Sequence, residues 1–136
     1  IWDGWHSCLR NEWEAILVVQ KPLLNNHIET LMKNNVGLLY TKTDEGFMSN
    51  VIENVQRDKK DDYNTHPTVK PIELIKKLIH ISTPNVKGNI VIDPFMGSGT
   101  TAIASKELGI NYIGFELSEE YCNIAEQRIK QLISIK

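Results

Sequence analysis

The sequence predicts an α/β protein built around strands that alternate with helices. Residues 90–92 are an apolar run, residues 93–101 form a glycine-containing turn, and residues 102–108 follow a helical pattern. A second apolar run at residues 112–115 then ends at an acidic residue, Glu116. Strand, turn, helix and strand in this order are typical of an α/β sheet. With 136 residues, the chain is expected to form one structural domain.

Before residue 71 the predicted elements are short. Residues 15–19 are a continuous apolar run followed by Lys21 and Pro22, which is typical of a buried strand whose hydrogen-bond ladder stops at the proline. Residues 27–34 are expected to form a short helix that ends at an Asn pair, and residues 36–40 a strand.

After residue 71 the helical signals are stronger. Pro71 suits the first turn of a helix that runs to about Ser82, and Gly109 is expected to stop the next helix after Leu108. Ser118 can cap the last helix, whose first turn holds two glutamates. Two buried faces are predicted at helical spacing: Ile72, Ile75, Leu78 and Ile79 on one helix, and Tyr121, Ile124, Ala125, Arg128 and Leu132 on the other.

The turn at residues 93–101 has the composition of a cofactor site. Gly97 and Gly99 let the backbone approach a ligand without an intervening Cβ atom, and the first N–H groups of the next helix point into the same space. Glu116 ends the following strand at a spacing suited to gripping ribose hydroxyls. The order of strand, Asp93, glycines and Glu116 therefore favours a cofactor site over a purely structural turn.

Residues 93–101, Asp-Pro-Phe-Met-Gly-Ser-Gly-Thr-Thr, resemble the cofactor-binding signature of the DNA amino-methyltransferases. That family transfers a methyl group from S-adenosylmethionine to an exocyclic amine of adenine or cytosine. Residues 112–121 resemble its ribose-binding strand and following helix, and residues 66–71, His-Pro-Thr-Val-Lys-Pro, resemble the segment that precedes the glycine turn in one permuted class. In that class the catalytic half lies N-terminal to the cofactor-binding half, and residues 2–22 resemble late catalytic-side motifs.

The resemblance implies a partial Rossmann-like, S-adenosylmethionine-dependent methyltransferase fold with an incomplete sheet. Residues 1–22 would be the end of the catalytic-side region, residues 23–64 a variable connecting region, and residues 65–136 the S-adenosylmethionine-binding region. The strand at residues 90–93 would pair with a strand that this chain lacks, which would leave apolar surface exposed on the chain alone.

The resemblance also assigns the cofactor contacts. Asp93 would face the methionine ammonium of S-adenosylmethionine, and Glu116 would accept hydrogen bonds from the ribose hydroxyls. Lys70 or Thr68 would meet the methionine carboxylate. No catalytic residue and no metal ligand is expected in this chain. The complete predicted cofactor-binding set is Thr68, Lys70, Asp93, Pro94, Phe95, Gly97, Ser98, Gly99, Thr100, Thr101 and Glu116.

Several of these side chains also have structural interpretations. Thr100 and Thr101 are equally well explained as helix N-terminal caps. His66 is favoured as a structural hydrogen-bonding residue over a cofactor contact. The three tryptophans are expected to pack against the strand at residues 15–19 rather than to stack on a flipped base: Trp2, Trp5 and Trp13.

One family feature does not occur in the sequence. The Asp/Asn/Ser-Pro-Pro-Tyr/Phe/Trp tetrapeptide, which holds the target amine, is missing, and the chain begins with Ile1 rather than Met. We therefore expect the C-terminal portion of a site-specific DNA methyltransferase, adenine-specific in preference to cytosine-specific, that is inactive by itself. Its expected partners are double-stranded DNA and the N-terminal catalytic half, in cis or as a separate chain.

Two other classes of protein remain as alternatives. One is a non-catalytic, S-adenosylmethionine-binding regulatory subunit. The other is a nucleotide-binding dehydrogenase-like domain, which is disfavoured because Asp-Pro-Phe precedes the glycine turn. Binding of S-adenosylhomocysteine or of NAD would distinguish these two alternatives.

The composition indicates a cytoplasmic protein. No apolar run approaches the ~20 residues needed to span a bilayer, and no signal peptide is visible. Cys8 and Cys122 are expected to be reduced thiols, and no second His or Cys accompanies His66 at metal-ligand spacing. The net charge of −2 gives no overall basic field. Residues 57–62 carry both signs of charge and are expected to form a solvated loop, with DNA-backbone contact through Lys59 and Lys60 as the alternative.

Overall fold

The computed structural model describes residues 3, 8, 13–56, 58, 69–83 and 88–134. The last five elements alternate helix, strand, helix, strand and helix, which confirms the predicted α/β class. In chain order the elements are α1 (His27–Asn34), β1 (Lys42–Thr43), β2 (Gly46–Phe47), α2 (Ile72–Ser82), β3 (Ile90–Asp93), α3 (Thr100–Glu107), β4 (Asn111–Gly114) and α4 (Glu119–Ser134).

The two strands that flank α3 form a parallel pair. Ile90 lies opposite Asn111 and Asp93 lies opposite Gly114. Beyond the strands, Phe115 N–H donates to the Asp93 carbonyl (2.9 Å), and Met96 N–H donates to the Phe115 carbonyl (2.8 Å). Because the strands are parallel, both carboxyl ends lie at the same edge of the sheet, where open α/β sheets bind their ligands.

The core of the described structure is centred on α3. This helix packs against α2, β4 and α4. Its alanines, which leave little side-chain bulk between elements, allow that close approach. The buried apolar residues are Ile79, Ile81, Ala102, Ile103, Ala104, Ile124 and Ala125.

The helices after residue 71 begin and end close to the predicted residues. Pro71 is the N-cap of α2, so the helix begins at Ile72, one residue later than the sequence predicts. Asp58 Oδ2 accepts a hydrogen bond from Ile72 N–H at 2.8 Å. The chain leaves α3 at Gly109, whose φ of 70° a residue with a Cβ atom seldom adopts. Ser118 Oγ caps α4 by accepting from Tyr121 N–H at 3.3 Å, as predicted.

The predicted buried faces are confirmed in part. Ile79 is buried on α2, where the other three predicted residues are half-buried and Ile81, which was not predicted, is also buried. On α4 the residues Ile124, Ala125 and Arg128 are buried. The helical spacing thus identified the inward faces, and the neighbouring elements set how deeply each side chain lies.

The prediction of a buried strand at residues 15–19 is wrong. The structure gives this run no regular secondary structure, and Leu17 and Val19 are 86% and 79% exposed. Among the described residues no strand lies beside the run to complete its ladder, and its large apolar side chains are exposed. Trp13, expected to pack there, is 76% exposed, whereas Trp2 and Trp5 lie outside the described residues.

The prediction of a strand at residues 36–40 is also wrong, although α1 occupies residues 27–34 as predicted. Gly37 has a φ of 101°, which interrupts an extended strand. Tyr40 N–H donates instead to the Ile81 carbonyl of α2 at 2.8 Å. The strands of this region lie further on, where Lys42 pairs with Phe47 in the antiparallel β1–β2 hairpin.

Candidate cofactor site

The glycine turn joins the end of β3 to the start of α3. Gly97 and Gly99 have φ angles of 54° and 85°, in the left-handed region that favours glycine. Gly99 N–H donates to the Met96 carbonyl at 3.0 Å, and Ile103 N–H donates to the Gly99 carbonyl at 3.0 Å. The turn therefore passes directly into the first turn of the helix, as the sequence predicts.

Gly99 is required for a second reason. A Cβ atom at this position would lie 2.8 Å from the Cβ atom of Ala125 on α4. A side chain here would have to displace α4 from α3 because it would collide with Ala125. It would also force a residue other than glycine into the left-handed conformation.

Asp93 lies at the carboxyl end of β3 and is half-buried. Its Oδ1 accepts a hydrogen bond from Phe95 N–H at 2.9 Å, and its Oδ2 accepts one from the Thr101 hydroxyl at 2.6 Å. These contacts fix the carboxylate beside the glycine turn. An ionised carboxylate has further lone pairs available for a cationic ligand.

The capping interpretation of Thr100 and Thr101 is wrong. The N-cap of α3 is Gly99, which has no side-chain capping bond. Thr101 Oγ1 donates to Asp93, and Thr100 is buried at the first position of the helix. Thr101 therefore orients a candidate ligand-binding carboxylate instead of capping the N-terminus of the helix.

Glu116 connects the glycine turn to the start of α4. Its Oε2 accepts from Gly97 N–H at 2.8 Å. Its Oε1 accepts from Leu117 N–H at 2.8 Å and from Ser118 N–H at 2.9 Å. These contacts hold the Glu116 carboxylate at the carboxyl edge of the sheet. Glu116 lies two residues beyond the end of β4, whose last residue, Gly114, pairs with Asp93.

A cavity of about 220 Å³ lies against the glycine turn and brings together most of the predicted residues. Lys70 lines it and forms an ion pair with Glu14. Pro94, Gly99 and Glu116 do not line the cavity, and Thr68 lies outside the described residues. The lining residues are Val69, Lys70, Ile75, Asp93, Phe95, Met96, Gly97, Ser98, Thr100 and Thr101.

The sequence reasoning missed three apolar lining residues, Val69, Ile75 and Met96. Met96 lies so close to β4 that a Cβ atom on Gly114 would be 2.0 Å from its Cε atom. Gly114 therefore leaves room for the Met96 side chain under the turn. No sequence signal links these two positions, since the contact exists only once β3 and β4 pair.

A larger, open cavity of about 620 Å³ lies beside α1 and is lined by Leu23, Leu24, Asn25, Glu29, Met32 and Lys33. It contains none of the predicted site residues. The smaller cavity is the better candidate because a carboxylate, a lysine and the backbone of a glycine turn converge there.

Cys8 and Cys122 are free thiols, and Cys122 Sγ donates to the Glu116 carbonyl at 3.6 Å. Among the residues that the structure describes, no cluster of three or more His, Cys, Asp or Glu side chains could hold a metal ion. The described helices include none that is long and apolar enough to cross a membrane.

Parallel strands whose ends carry Asp93 and Glu116 around a glycine turn define an α/β domain of the kind that binds nucleotide-like cofactors. The family model of the N6/N4 DNA methylases matches residues 5–127. The chain belongs to this DNA methylase family.

Individual relatives agree with the family. The chain is 36% identical to the type II methyltransferase M.HindIII of Haemophilus influenzae over 94% of this chain and 44% of the relative. It is 49% identical to the type II methyltransferase M1.MboII of Moraxella bovis over 50% of this chain and 25% of the relative. The chain thus spans less than half the length of these relatives.

A solved structure supports the partial methyltransferase fold. The crystal structure of the M1.HpyAVI–SAM complex matches 67% of this chain and 42% of its own, with a TM-score of 0.52 and 37% sequence identity. At this identity the likeness extends beyond the fold to the sequence itself.

Proposed function

We propose that this chain is the cofactor-binding portion of a site-specific DNA methyltransferase that transfers a methyl group from S-adenosylmethionine to the exocyclic amine of adenine, in preference to cytosine. The observation that carries the proposal is the convergence of Asp93, the glycine turn and Glu116 at the carboxyl edge of the β3–β4 pair. The solved relative that is a complex with SAM supports the choice of cofactor.

The residues of the site fit S-adenosylmethionine chemically. Asp93 supplies the counter-charge for the methionine ammonium. Glu116 lies outside the cavity of about 220 Å³, but its Oε2, which accepts one backbone hydrogen bond against two at Oε1, is the acceptor for a ribose hydroxyl. Lys70, or Thr68 two positions earlier in the sequence, supplies a donor for the methionine carboxylate. The sulfonium of the cofactor makes its methyl group electrophilic, so the protein has to position and stabilise rather than activate covalently.

The target amine needs groups that this chain does not contain. The lone pair of an exocyclic base amine is delocalised into the ring, so the amine has to be held in position to react. In the family a Pro-Pro tetrapeptide holds this amine, and that tetrapeptide is absent from this sequence. We propose that the catalytic half is supplied in cis or as a separate chain, that the substrate is double-stranded DNA, and that the enzyme is cytoplasmic.

The exposed apolar side chains of the strands support a missing partner. Ile90 and Ile92 of β3 are 53% and 62% exposed, and Ile113 of β4 is 44% exposed. Apolar surface on a two-stranded sheet is a site for further strands or a covering layer. A radiolabelled methyl-transfer assay with duplex DNA should therefore detect no turnover by the chain alone, and clear turnover would overturn this part of the proposal.

A non-catalytic regulatory subunit that binds S-adenosylmethionine is the second candidate. The absence of the tetrapeptide from this sequence fits a regulatory subunit as well as it fits the cofactor-binding portion of an enzyme. Restoration of methyl transfer when the catalytic half is added supports the enzyme portion. Cofactor binding without any restoration supports the regulatory subunit.

The test of the cofactor site is Asp93→Asn, measured by calorimetric titration with S-adenosylhomocysteine. The amide keeps an acceptor for Phe95 N–H but removes the charge opposite the methionine ammonium. Since a hydrogen bond to a charged group contributes about 1.5–3 kcal/mol, affinity should fall roughly 10- to 150-fold. An unchanged dissociation constant would remove Asp93 from the site, and tight binding of NAD instead would point to the dehydrogenase-like alternative.

Thr101→Val is the matched control. It removes the hydroxyl that donates to Asp93 Oδ2 but leaves the Asp93 charge in place. Its loss of affinity should be smaller than that of Asp93→Asn. Equal losses in the two variants would mean that the orientation of Asp93, and not its charge, determines binding.

A further inference from the structure

We propose that Arg128 is a positioning residue for the cofactor turn: from α4 it holds Ser98, and through Ser98 it sets the conformation of the Gly97–Gly99 backbone. This inference rests on the proposed function, because the turn matters for chemistry only if it binds a cofactor.

Arg128 is a buried cation attached to the turn. Its side chain is only 5% exposed, as is expected of an arginine only when it is hydrogen-bonded or paired. One Nη1 atom donates to the Ser98 carbonyl at 2.6 Å and to Ser98 Oγ at 3.2 Å. Ser98 is itself 4% exposed and lines the candidate cofactor cavity. The guanidinium therefore contacts a buried residue of the site.

The turn is held on both sides of Ser98 by groups in or next to α4. Before it, Gly97 N–H donates to Glu116, three residues before the start of that helix. After it, Gly99 packs against Ala125 so closely that a Cβ atom would lie 2.8 Å from the Ala125 Cβ. Arg128 binds the residue between these two contacts. Together they make α4 a template against which the left-handed Gly97 and Gly99 conformations are set.

A charge is better suited to this role than an apolar side chain. The Ser98 carbonyl lies at the start of α3, away from solvent, and a buried carbonyl without a donor costs about 1–3 kcal/mol. A guanidinium satisfies that carbonyl and the hydroxyl simultaneously, which fixes the direction of the peptide group as well as its position. A leucine on the same face would fill the space but leave the Ser98 carbonyl without this donor.

The experiment compares Arg128→Met, Arg128→Lys and a control, Lys130→Gln. Methionine removes every donor but keeps a long side chain, and lysine keeps the charge and a shorter reach. Lys130 is a cation on the same helix that is 72% exposed and pairs with Glu126, away from the turn. Two quantities are measured on each: amide hydrogen exchange of Gly97 and Gly99 without cofactor, and affinity for S-adenosylhomocysteine.

We expect Arg128→Met to speed exchange of the Gly97 and Gly99 amides about tenfold or more relative to the amides of α3. The affinity for S-adenosylhomocysteine should fall at least about tenfold, which is the usual effect of losing a charged hydrogen bond. Arg128→Lys should recover part of both losses. Lys130→Gln should change neither measurement by more than about twofold.

Three results would overturn the proposal. One is an Arg128→Met variant whose turn amides and affinity both match the wild type. Another is faster exchange spread uniformly over α3 and α4 with no recovery in Arg128→Lys, which is the signature of a merely structural arginine. If Arg128→Met does not fold, Arg128→Lys decides: unchanged exchange at Gly97 and Gly99 refutes the assignment, and selectively faster exchange supports it.

The inference can be separated from the proposed function. If the wild-type chain binds no S-adenosylhomocysteine, yet the turn amides respond to Arg128 as expected, then the cofactor assignment fails while Arg128 still positions the turn.

Discussion

Residues 69–134 and residues 13–56 differ in what they do with their apolar side chains. The buried apolar residues of the described structure all lie in the later segment, whereas Thr30 alone is buried in the earlier one. The earlier segment is nevertheless rich in apolar residues, and its exposed large ones include Ile16, Leu17, Val18, Val19, Met32, Leu38, Leu39 and Phe47. Apolar content alone therefore does not create a core.

Layered packing explains the difference. The later segment supplies its own layers, because α3 lies against α2, α4 and β4. The earlier segment supplies one short helix and a hairpin of two-residue strands, which have no described partner layer of their own. Its contacts with the later segment include Tyr40 N–H to the Ile81 carbonyl and Glu14 to Lys70. Its apolar side chains therefore remain exposed.

The largest expected effect comes from placing a side chain where the turn before α3 packs directly against α4. Gly99→Val combines a φ of 85° with a Cβ position 2.8 Å from Ala125 Cβ. Strain and overpacking together should lower the free energy of unfolding by roughly 3 kcal/mol or more. Urea unfolding followed by circular dichroism measures this change.

Gly46→Val in the hairpin is the control for Gly99→Val. Gly46 also has a positive φ, 125°, but a Cβ atom there would meet nothing within 4 Å. Its cost should be confined to the local backbone, about 1–3 kcal/mol in a hairpin whose unfolding leaves the later segment intact. A larger loss of global stability in Gly46→Val than in Gly99→Val would contradict the proposed contrast.

An intermediate effect is expected for Thr30→Val, which tests the independence of the earlier segment. The Thr30 hydroxyl accepts from Leu24 N–H at 3.0 Å and donates to the Asn26 carbonyl at 2.8 Å. Leaving these groups unpaired should destabilise the α1 region by about 1–2 kcal/mol, seen as faster amide exchange at Leu24. Affinity for S-adenosylhomocysteine should stay within about twofold; a larger drop would show that the two segments are coupled.

The smallest effect is expected for Lys76→Met, which removes an ion pair between α2 and α3. Lys76 Nζ lies 2.9 Å from Glu73 Oε1 and 3.1 Å from Glu107 Oε2. Hydrogen bonds to Glu73 and then to Glu107 raise the pKa of Lys76 above its ordinary value of 10.5. A lysine whose pKa is raised by folding stabilises the fold at every pH below its ordinary pKa. That stabilisation is lost as the pH rises through the folded-state pKa.

Because the Lys76 pair is partly solvated, its loss should cost less than ~1 kcal/mol at pH 7. The difference in urea midpoint between the wild type and Lys76→Met should shrink as the pH is raised above about 10.5. Lys130→Met, on the exposed Glu126 pair, is the control and should change the midpoint less. A difference that grows at high pH would mean that Lys76 stabilises the fold by packing its stem instead.

The later segment could be predicted from the sequence because its signals are local. The strand at residues 90–93, the glycine turn, the end of α3 at Gly109 and the Ser118 cap each depend on residues that are close in the chain. The strands predicted at residues 15–19 and 36–40 failed because an apolar run indicates burial only when something covers it. In the second case the left-handed Gly37 also breaks the extended backbone.

The site was predicted as a set of residues but not as a network. Asp93 and Glu116 were expected to bind a cofactor, whereas their protein partners, Thr101 and Gly97, appear only in the folded structure. The burial of Arg128 was predicted from helical spacing, but its hydrogen bonds to Ser98, 30 residues earlier, were not. The hydrogen bond from Ile72 N–H to Asp58, 14 residues before it, also had no signal in the sequence.

The sequence by itself therefore determined the local structure of this protein: which residues end a strand, allow a left-handed turn or begin a helix, and which face of a helix is buried. These depend on backbone preferences, capping and periodicity, all of which act within a few residues. Tertiary structure alone decided which side chains bind across the chain and which apolar runs are covered. Hydrogen bonding and burial depend on the positions of groups far apart in sequence. Arg128 is therefore buried and donates a hydrogen bond to Ser98, whereas Leu17 is exposed to solvent.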